Sequence, residues 1–241
     1  MKIPESRREI PIQECYEPLQ GIPNDGRFIL TKPHPYEILN APYNGVSPFQ
    51  LREQVLLSLI TASELLSKQH PGYKLRIFDA YRPLAVQDFM VHHTAQKFCK
   101  RVHRILFEEA NQNIRQESLD HALCIFAKPD PSPDTPPPHS TGAAVDLTIT
   151  NDGGIDILMG AKIDDIENAF PDVFKDSINP EEQVFHKNRV LLREIMEQAG
   201  FVQLQSEWWH FSQGDQTAVF IEANRSGVYS LLLARYGRVE I

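Results

Sequence analysis

Apolar residues recur at steps of three and four along residues 51–66, the spacing that places side chains on one face of an α-helix. The recurring residues are Leu51, Val55, Leu59, Ala62 and Leu66. Upstream, the pair Ser47-Pro48 is typical of a helix cap followed by proline at the first helical position. Downstream, Pro71-Gly72 is a strong helix-ending signal. The pattern therefore predicts an amphipathic helix from Pro48 to about Gln69.

Alternation of apolar and polar residues, which is typical of a half-buried strand, occurs in residues 73–79 and again in residues 143–149. In the second stretch one face carries only the apolar side chains of Ala143, Val145, Leu147 and Ile149. The other face carries Asp146 between Ala144 and Thr148. This strand is therefore predicted to have one face in the core and a second face, called the site face below, that carries the carboxylate. Because Ala144 is small, this second face has room for an ion beside Asp146.

The rest of the chain shows weaker patterns. In chain order they predict mostly helix with polar interruptions over 84–126, a hairpin and then an irregular segment over 151–180, a helix over 188–199 that ends at Gly200, a strand over 201–205, a short strand at 218–221 and a short helix or strand at 228–234. Two regions show no periodicity. Residues 1–46 are predicted to form an irregular or short-stranded wrap. Residues 127–138 contain six prolines, which excludes a helix or a central strand and leaves a surface insertion or a lid.

Composition narrows the function classes. The chain has 241 residues, 41% of them hydrophobic and 23% charged, which is ordinary for a globular protein of one large or two small domains. The net charge of −8 argues against non-specific binding to nucleic acid or to an anionic membrane. Three cysteines without a C-x-x-C spacing do not form a disulfide framework. No signal peptide or membrane span is recognisable, so a cytoplasmic location is predicted.

Two segments concentrate metal-binding side chains. His139 precedes Gly142, and Asp146 follows on the site face of the predicted strand. In an unbroken strand His139 would face away from Asp146, but Gly142 can adopt backbone conformations that let the two converge. Further along, Glu207 and His210 flank two tryptophans. They differ by three positions, so a bend is needed to bring them to one side.

Catalytic zinc sites typically use three protein ligands and keep a fourth position for water. His139, Asp146 and His210 supply that number, which predicts one Zn²⁺ ion per chain. Glu207 can then act as the general base, and Arg82, at the end of the predicted strand 73–79, can stabilise an oxyanion. Each motif alone is also compatible with a structural role, as a loop histidine, an ion-paired acid or a packed aromatic cluster.

Taken together, these segments resemble the D-alanyl-D-alanine dipeptidase family, the VanX-type zinc enzymes of the hedgehog/DD-peptidase superfamily. The motifs that carry the resemblance are D-x-Y-R-P at 79–83, H-x-x-G-x-A-x-D at 139–146, M-G at 159–160 with Asp164, E-x-W-H at 207–210 and, more loosely, Tyr36 with Asn40 and Gly45. The resemblance spans roughly residues 36–211. It implies an α+β fold with a central antiparallel sheet flanked by helices, as one domain over residues 1–241. It also implies a small substrate, the dipeptide D-Ala-D-Ala, released as two D-alanines.

The resemblance also implies residue roles. These are His139, Asp146 and His210 as zinc ligands, Glu207 as the base, Arg82 at the transition state, Asp164 on the free amino group of the substrate and Tyr36 in the substrate pocket. One departure bears on substrate choice: Pro137 stands where the family usually has a serine. Two alternatives stay open, a zinc D,D- or L,D-carboxypeptidase or endopeptidase acting on peptidoglycan peptides, and a non-catalytic zinc-binding module. The missing signal peptide counts against the first, and the presence of Glu207 and Arg82 counts against the second. No oligomeric state is predicted.

Overall fold

The structure, a computed structural model, describes residues 3–230 and 232–239. The strands of this part of the chain are β1 (Leu19–Gly21), β2 (Phe28–Leu30), β3 (Gln50–Arg52), β4 (Lys74–Asp79), β5 (Ala144–Thr150), β6 (Val202–Gln203) and β7 (His210–Ser212). The α-helices are α1 (Pro35–Ile38), α2 (Glu53–Gln69), α3 (Leu84–Val102), α4 (Gln112–Ala122), α5 (Pro180–Gln198) and α6 (Gln216–Ser226). Short 3-10 turns lie at Arg7–Glu9, Phe107–Glu109 and Pro138–Thr141.

A five-stranded sheet in the order β2-β4-β5-β7-β6 organises the fold, and β1 and β3 form a separate two-stranded ribbon. Strands β4, β5, β7 and β6 pair antiparallel. The predicted central antiparallel sheet with flanking helices is therefore confirmed. The edge strand β2 pairs parallel with β4, which local patterns along the chain did not predict.

Strand β5 is buried along its whole length. The main core contains its side chains Val145, Leu147 and Ile149 together with apolar residues of α2 and α5. A second apolar cluster joins α1, α3 and α4 and includes Tyr36 and Phe126. Because each fully buried leucine or isoleucine contributes roughly 1.5–3 kcal/mol, this packing holds the central strands, and any side chain they present, in fixed positions.

The first long helix begins at Glu53 and not at Pro48 as predicted. Residues Gln50–Arg52 pair with Leu19–Gly21 as β3 and β1, and the hydroxyl of Ser47 caps a turn by accepting the Phe49 N–H at 3.2 Å. The periodicity of apolar residues could not distinguish a helix that starts at Pro48 from a strand at residues 50–52, because Leu51 would be buried in both. The strand forms because these residues pair with β1, some thirty residues upstream.

The prediction of a strand at 218–221 was wrong, because these residues lie within α6. The side chain of Asp215 caps this helix by accepting the Ala218 N–H at 2.8 Å, and Gly227 ends it in the left-handed conformation. The Asp215 cap and the Gly227 end both favour a helix, whereas the short apolar run at 218–221 is by itself compatible with either a helix or a strand. Residues 228–234, of which position 231 lies outside the described residues, contain no regular element there beyond a bridge between Ile12 and Ala234.

The other predictions differ mainly in length. Helices α3 and α4, separated by a 3-10 turn, confirm the interrupted helical segment at 84–126. Helix α5 begins at Pro180 and not at residue 188, behind an Asn179 cap. The segment after β5 returns through a single bridge between Thr150 and Asp156, so the predicted hairpin lacks a second strand. None of the helices in the described ranges is both long and apolar enough to cross a membrane.

Candidate active site

The loop that carries His139 is the 3-10 turn at 138–141, which ends at Gly142 with φ +70°. A Cβ atom at Gly142 would overlap Cδ2 of Leu19, so the position suits glycine for both its backbone conformation and its space. The sequence predicted this turning role. The turn changes the direction of the chain before β5, so that the ring of His139 lies on the same face of the sheet as the Asp146 side chain, with Nε2 3.2 Å from Oδ2.

Asp146 and His210 face each other across a pair of strands. Asp146 of β5 is in register with His210 of β7 on one side and with Asp79 of β4 on the other, where the ladder has a bulge between Ile77 and Asp79. Residues directly opposite each other on antiparallel strands have their side chains close together. The sheet register therefore fixes two of the three predicted ligands.

His139, Asp146 and His210 converge on one buried point. Nε2 of His139 lies 3.1 Å from Nδ1 of His210 and 3.2 Å from Oδ2 of Asp146. Oδ1 of Asp146 lies 2.9 Å from Nδ1 of His210. The donor set fits a divalent metal ion, with one atom from each residue within 4.8 Å of the others. A tetrahedral zinc ion needs ligand atoms roughly 3.3 Å apart, close to the two separations measured from Nε2 of His139.

The outer ring nitrogens of both histidines already have partners. Nδ1 of His139 lies 2.7 Å from the carbonyl of Ala80, and Nε2 of His210 lies 3.3 Å from the hydroxyl of Ser212. Such contacts fix the ring orientation of a metal-binding histidine. Burial alone would raise the pKa of Asp146, but the two adjacent histidines hold it well below its ordinary value.

Glu207 lines the same small cavity as the three clustered residues. The bend between β6 and β7 brings it there, held by the Gln203 side-chain amide, which donates to the Trp208 carbonyl at 2.8 Å, and by the Trp208 N–H, which donates to Ala169 at 2.9 Å. Burial raises the pKa of Glu207 well above its usual value, and the negative charges of Asp146 and Asp164 raise it further. The adjacent Trp208 and Trp209 are buried.

Arg82 extends from the end of β4 into this cavity as a nearly buried cation. Its Nε and Nη2 donate to Oδ2 of Asp79 at 2.9 and 2.6 Å, and its Nη1 donates to Gln87 at 2.9 Å. Nη2 also lies 3.6 Å from Oδ2 of Asp146. These partners fix the guanidinium beside the ligand cluster.

Asp164 lies in the segment between β5 and α5, at a backbone φ of +68°. The hydroxyl of Tyr36 donates to its Oδ2 at 3.0 Å, across 128 residues of sequence. Burial raises the pKa of Asp164 to about 6, helped by the charge of Asp146 and opposed by Arg82. Asp164 and Glu207 line one cavity with the three clustered residues His139, Asp146 and His210. The structure therefore brings all the predicted site residues together.

Two buried side chains of the site were missed in the sequence. His34 contacts Oδ1 of Asp79 through Nε2 at 3.2 Å, and Gln87 connects Arg82 to the carbonyl of Ala127. Asp79, three residues before Arg82, contacts both His34 and Arg82. The D-x-x-R spacing signalled Asp79, whereas His34 and Gln87 are isolated polar residues that no local pattern distinguishes.

Comparison with known proteins places these residues in a family. A model of the Peptidase_M15 family of D-ala-D-ala dipeptidases matches residues 30–227. A D-alanyl-D-alanine dipeptidase of Synechocystis sp. is 41% identical over 96% of this chain and 95% of its own length. A D-alanyl-D-alanine dipeptidase of Enterococcus faecalis is 30% identical over 60% of this chain and 64% of its own length.

Among solved structures, VanYB in complex with D-Alanine-D-Alanine aligns with a TM-score of 0.45 and 14% identity, covering 74% of this chain and 79% of that chain. A likeness at this level carries no argument about function. The family match over most of the chain and the near full-length relative decide the assignment. The chain belongs to the D-alanyl-D-alanine dipeptidase family of metallopeptidases.

Proposed function

We propose that the protein hydrolyses the dipeptide D-Ala-D-Ala to two D-alanines with one zinc ion held by His139, Asp146 and His210. The observation that carries the proposal is the convergence of these three ligand atoms in one buried cavity with Glu207 and Asp164. A cavity with a metal site, a base and an amine-binding carboxylate has the groups that cleavage of a short peptide with a free N-terminus requires.

Zinc, when bound, supplies a Lewis acid that polarises the scissile carbonyl and makes water more acidic. Glu207 acts as the general base: a carboxylate oxygen accepts the proton of the attacking water and delivers it to the leaving amine nitrogen. A raised pKa suits the first transfer, because a more basic carboxylate takes a proton more readily. A cation at the adjacent cluster would offset part of the repulsion from Asp146.

Arg82 is proposed to stabilise the negative charge that develops on the carbonyl oxygen. Its guanidinium is held by Asp79 and Gln87 and stacks over the rings of Tyr36 and Phe126, 5.0 and 5.4 Å from their centroids. Because it is fixed before the reaction, it loses little entropy at the transition state. The guanidinium lines the cavity that also contains Glu207 and the three clustered residues.

Asp164, supported by the Tyr36 hydroxyl, is proposed to bind the ammonium group of the substrate. A half-buried carboxylate is a strong partner for a cation that has left water. An N-acylated peptide offers no such cation and would leave the Asp164 carboxylate without that partner. This gives the site its expected preference for a free dipeptide.

A second candidate is a carboxypeptidase acting on longer peptidoglycan peptides. One observation favours it: a wider cleft, bordered by the basic residues Lys97, Lys100, Arg101 and Arg104, shares Ile125, Phe126 and Asp164 with the catalytic cavity. Such a cleft has space for an anionic peptide extension beyond the amine position. A non-catalytic zinc module is not favoured, because neither Glu207 nor Arg82 is needed to hold a metal ion.

The proposal is tested by measuring zinc content and D-Ala-D-Ala hydrolysis in the wild type and in two variants. Glu207→Gln is expected to keep zinc and to lose about 10²–10⁴-fold in kcat, whereas His139→Ala is expected to lose both zinc and activity. A wild type that hydrolyses a muropeptide ending in D-Ala-D-Ala but leaves the dipeptide intact would favour the second candidate. Unchanged turnover in Glu207→Gln would contradict the role of the base. A cytoplasmic location stays a prediction.

A further inference from the structure

A buried arginine lies behind the loop that carries His139. The Arg52 side chain is only 4% exposed. Its Nε donates to the Thr141 carbonyl at 2.8 Å and its Nη1 to the Glu17 carbonyl at 2.6 Å. Its Nη2 donates to a carboxylate oxygen of Glu14 at 3.0 Å and to the Gly237 carbonyl at 3.1 Å. One guanidinium therefore joins three segments: the loop at 138–142 that carries His139 (the metal loop below), the N-terminal segment at residues 14–17, and the C-terminal segment at residues 232–239.

Arg52 holds the metal loop through two consecutive carbonyls. Besides the side-chain bond to Thr141, the backbone N–H of Arg52 donates to the Gly142 carbonyl at 2.8 Å. On the other side of the loop, the Arg82 N–H donates to the His139 carbonyl at 3.2 Å. Arg52 therefore holds the peptide groups of Thr141 and Gly142 in place, and the backbone of Arg82 holds the peptide group of His139.

The C-terminal segment, residues 232–239, closes the same side of the loop. The Val239 N–H donates to the Ser140 carbonyl at 2.9 Å, immediately after His139. The ring of Tyr236 lies against Arg52, with its centroid 5.6 Å from the guanidinium carbon. Its hydroxyl donates to a carboxylate oxygen of Glu17 at 3.0 Å. The C-terminal segment therefore supports both the loop and the arginine that holds it.

We infer that Arg52 and the C-terminal segment are positioning elements for metal binding: they hold the loop at 138–142 so that His139 stays in the ligand cluster. The inference rests on the proposed metal site and adds residues that do not touch the metal. Asp146 and His210 lie on paired strands and are fixed by the sheet, whereas His139 lies on a turn outside it. Loosening the turn therefore frees one ligand of three, and metal affinity depends on ligands that are held in place.

The test is the equilibrium dissociation constant for Zn²⁺, measured on metal-free protein by competition with a chromogenic chelator. Arg52 binds four acceptors from three guanidinium nitrogens, whereas lysine has three donors on a single nitrogen, so Arg52→Lys is expected to weaken zinc binding about 10–100-fold. The matched control is Arg189→Lys. Arg189 is equally buried and donates to the carbonyls of Met159, Asn168 and Phe170, none of which belongs to the metal loop. Its variant should lose stability but keep zinc affinity within about twofold.

A second pair of variants tests the C-terminal contact without changing Arg52. Val239→Pro removes the N–H that Ser140 accepts, and Val239→Ala keeps it. We expect the proline variant to bind zinc about two- to tenfold more weakly than the alanine variant. This pair decides alone if Arg52→Lys does not fold.

Unfolding of the metal-free proteins in urea separates positioning from stability. Zinc affinity equal to wild type in Arg52→Lys, or in Val239→Pro where the lysine variant does not fold, would overturn the inference even if stability falls. Failure of the proposed function would look different, because the wild type itself would then bind no zinc or His139→Ala would bind it as tightly as the wild type.

Discussion

Three carboxyl groups line the cavity of the candidate site, and their different surroundings shift their pKa values in different directions. Two histidines beside Asp146 hold its pKa low, so it is a carboxylate whenever the protein is folded near neutral pH. Asp164 and Glu207 are half-buried; their removal from water, and then the negative charge of Asp146, raises the pKa of both. The division matches the proposed roles: an always-ionised ligand, a more basic proton acceptor and an amine partner that ionises near neutrality.

The pKa of Asp164, raised to about 6, predicts a pH dependence of substrate binding. Above this value the carboxylate attracts the substrate ammonium; as the pH falls through about 6 it is protonated and the attraction is lost. The KM for D-Ala-D-Ala should therefore rise as the pH falls from 7.5 to 5. Asp164→Asn should show a high KM, by about tenfold or more, at every pH. Steady-state kinetics across this range check both, and a variant that keeps the wild-type profile would contradict the assignment.

Tyr36→Phe offers a finer test of the same group. The hydroxyl stabilises the carboxylate form of Asp164, so its loss should move the pH step in KM upward, with a stability loss of roughly 0.5–1.5 kcal/mol. Tyr43→Phe is the control, because the Tyr43 hydroxyl contacts Asp79 and not Asp164. A downward shift of the step in Tyr36→Phe would be inconsistent with the observed hydrogen bond.

At the scale of elements, a strand, a turn and a bend build the site. The alternation at 143–149 predicted β5 to within one residue. Successive side chains of a strand point to opposite faces, so a strand with one apolar face shows an apolar residue at every second position. The turn at Gly142 was predicted from a single residue type. The pairing of β3 with β1 and the parallel edge strand β2 could not be predicted, because both depend on contacts between segments whose local patterns fit other conformations.

Gly142→Ala tests the turn. Alanine at φ +70° is strained, and its Cβ would also overlap Leu19, so we expect a loss of roughly 2–5 kcal/mol in the free energy of unfolding together with reduced zinc content. Gly227→Ala is the matched control: its φ is +69° with no atom within 4 Å of an added Cβ. It should cost about 1–2 kcal/mol and leave zinc binding unchanged. Urea unfolding and metal analysis measure both, and equal effects of the two substitutions would contradict a special role for the turn.

At the scale of the whole molecule, the site depends on chain ends that lie outside the family match at residues 30–227. Glu14, Glu17 and Gly237 bind Arg52, which in turn holds the metal loop. The three proposed ligand residues could be picked out from the sequence because they lie in compact motifs. This support could not, because it joins segments up to 185 residues apart through backbone carbonyls, which every residue type carries.

Metal removal should affect the stability of the whole protein, because an ion that binds only the folded state adds stability by mass action. At a zinc concentration about 100 times the dissociation constant the gain is about 2.7 kcal/mol. A chelator should therefore lower the unfolding temperature and abolish activity, and added zinc should restore both. Calorimetry with and without chelator measures the shift, and the His139→Ala variant, which should show none, is the control. A shift of the same size in that variant would place the stabilising ion elsewhere.

The most direct test of the proposed function compares two substrates with the zinc-loaded wild type. We expect D-Ala-D-Ala to be hydrolysed and kcat/KM for N-acetyl-D-Ala-D-Ala to be lower by about 10²-fold or more, because acetylation removes the ammonium group that Asp164 is proposed to bind. Equal values of kcat/KM for the two substrates, or cleavage of the acetylated dipeptide alone, would contradict it.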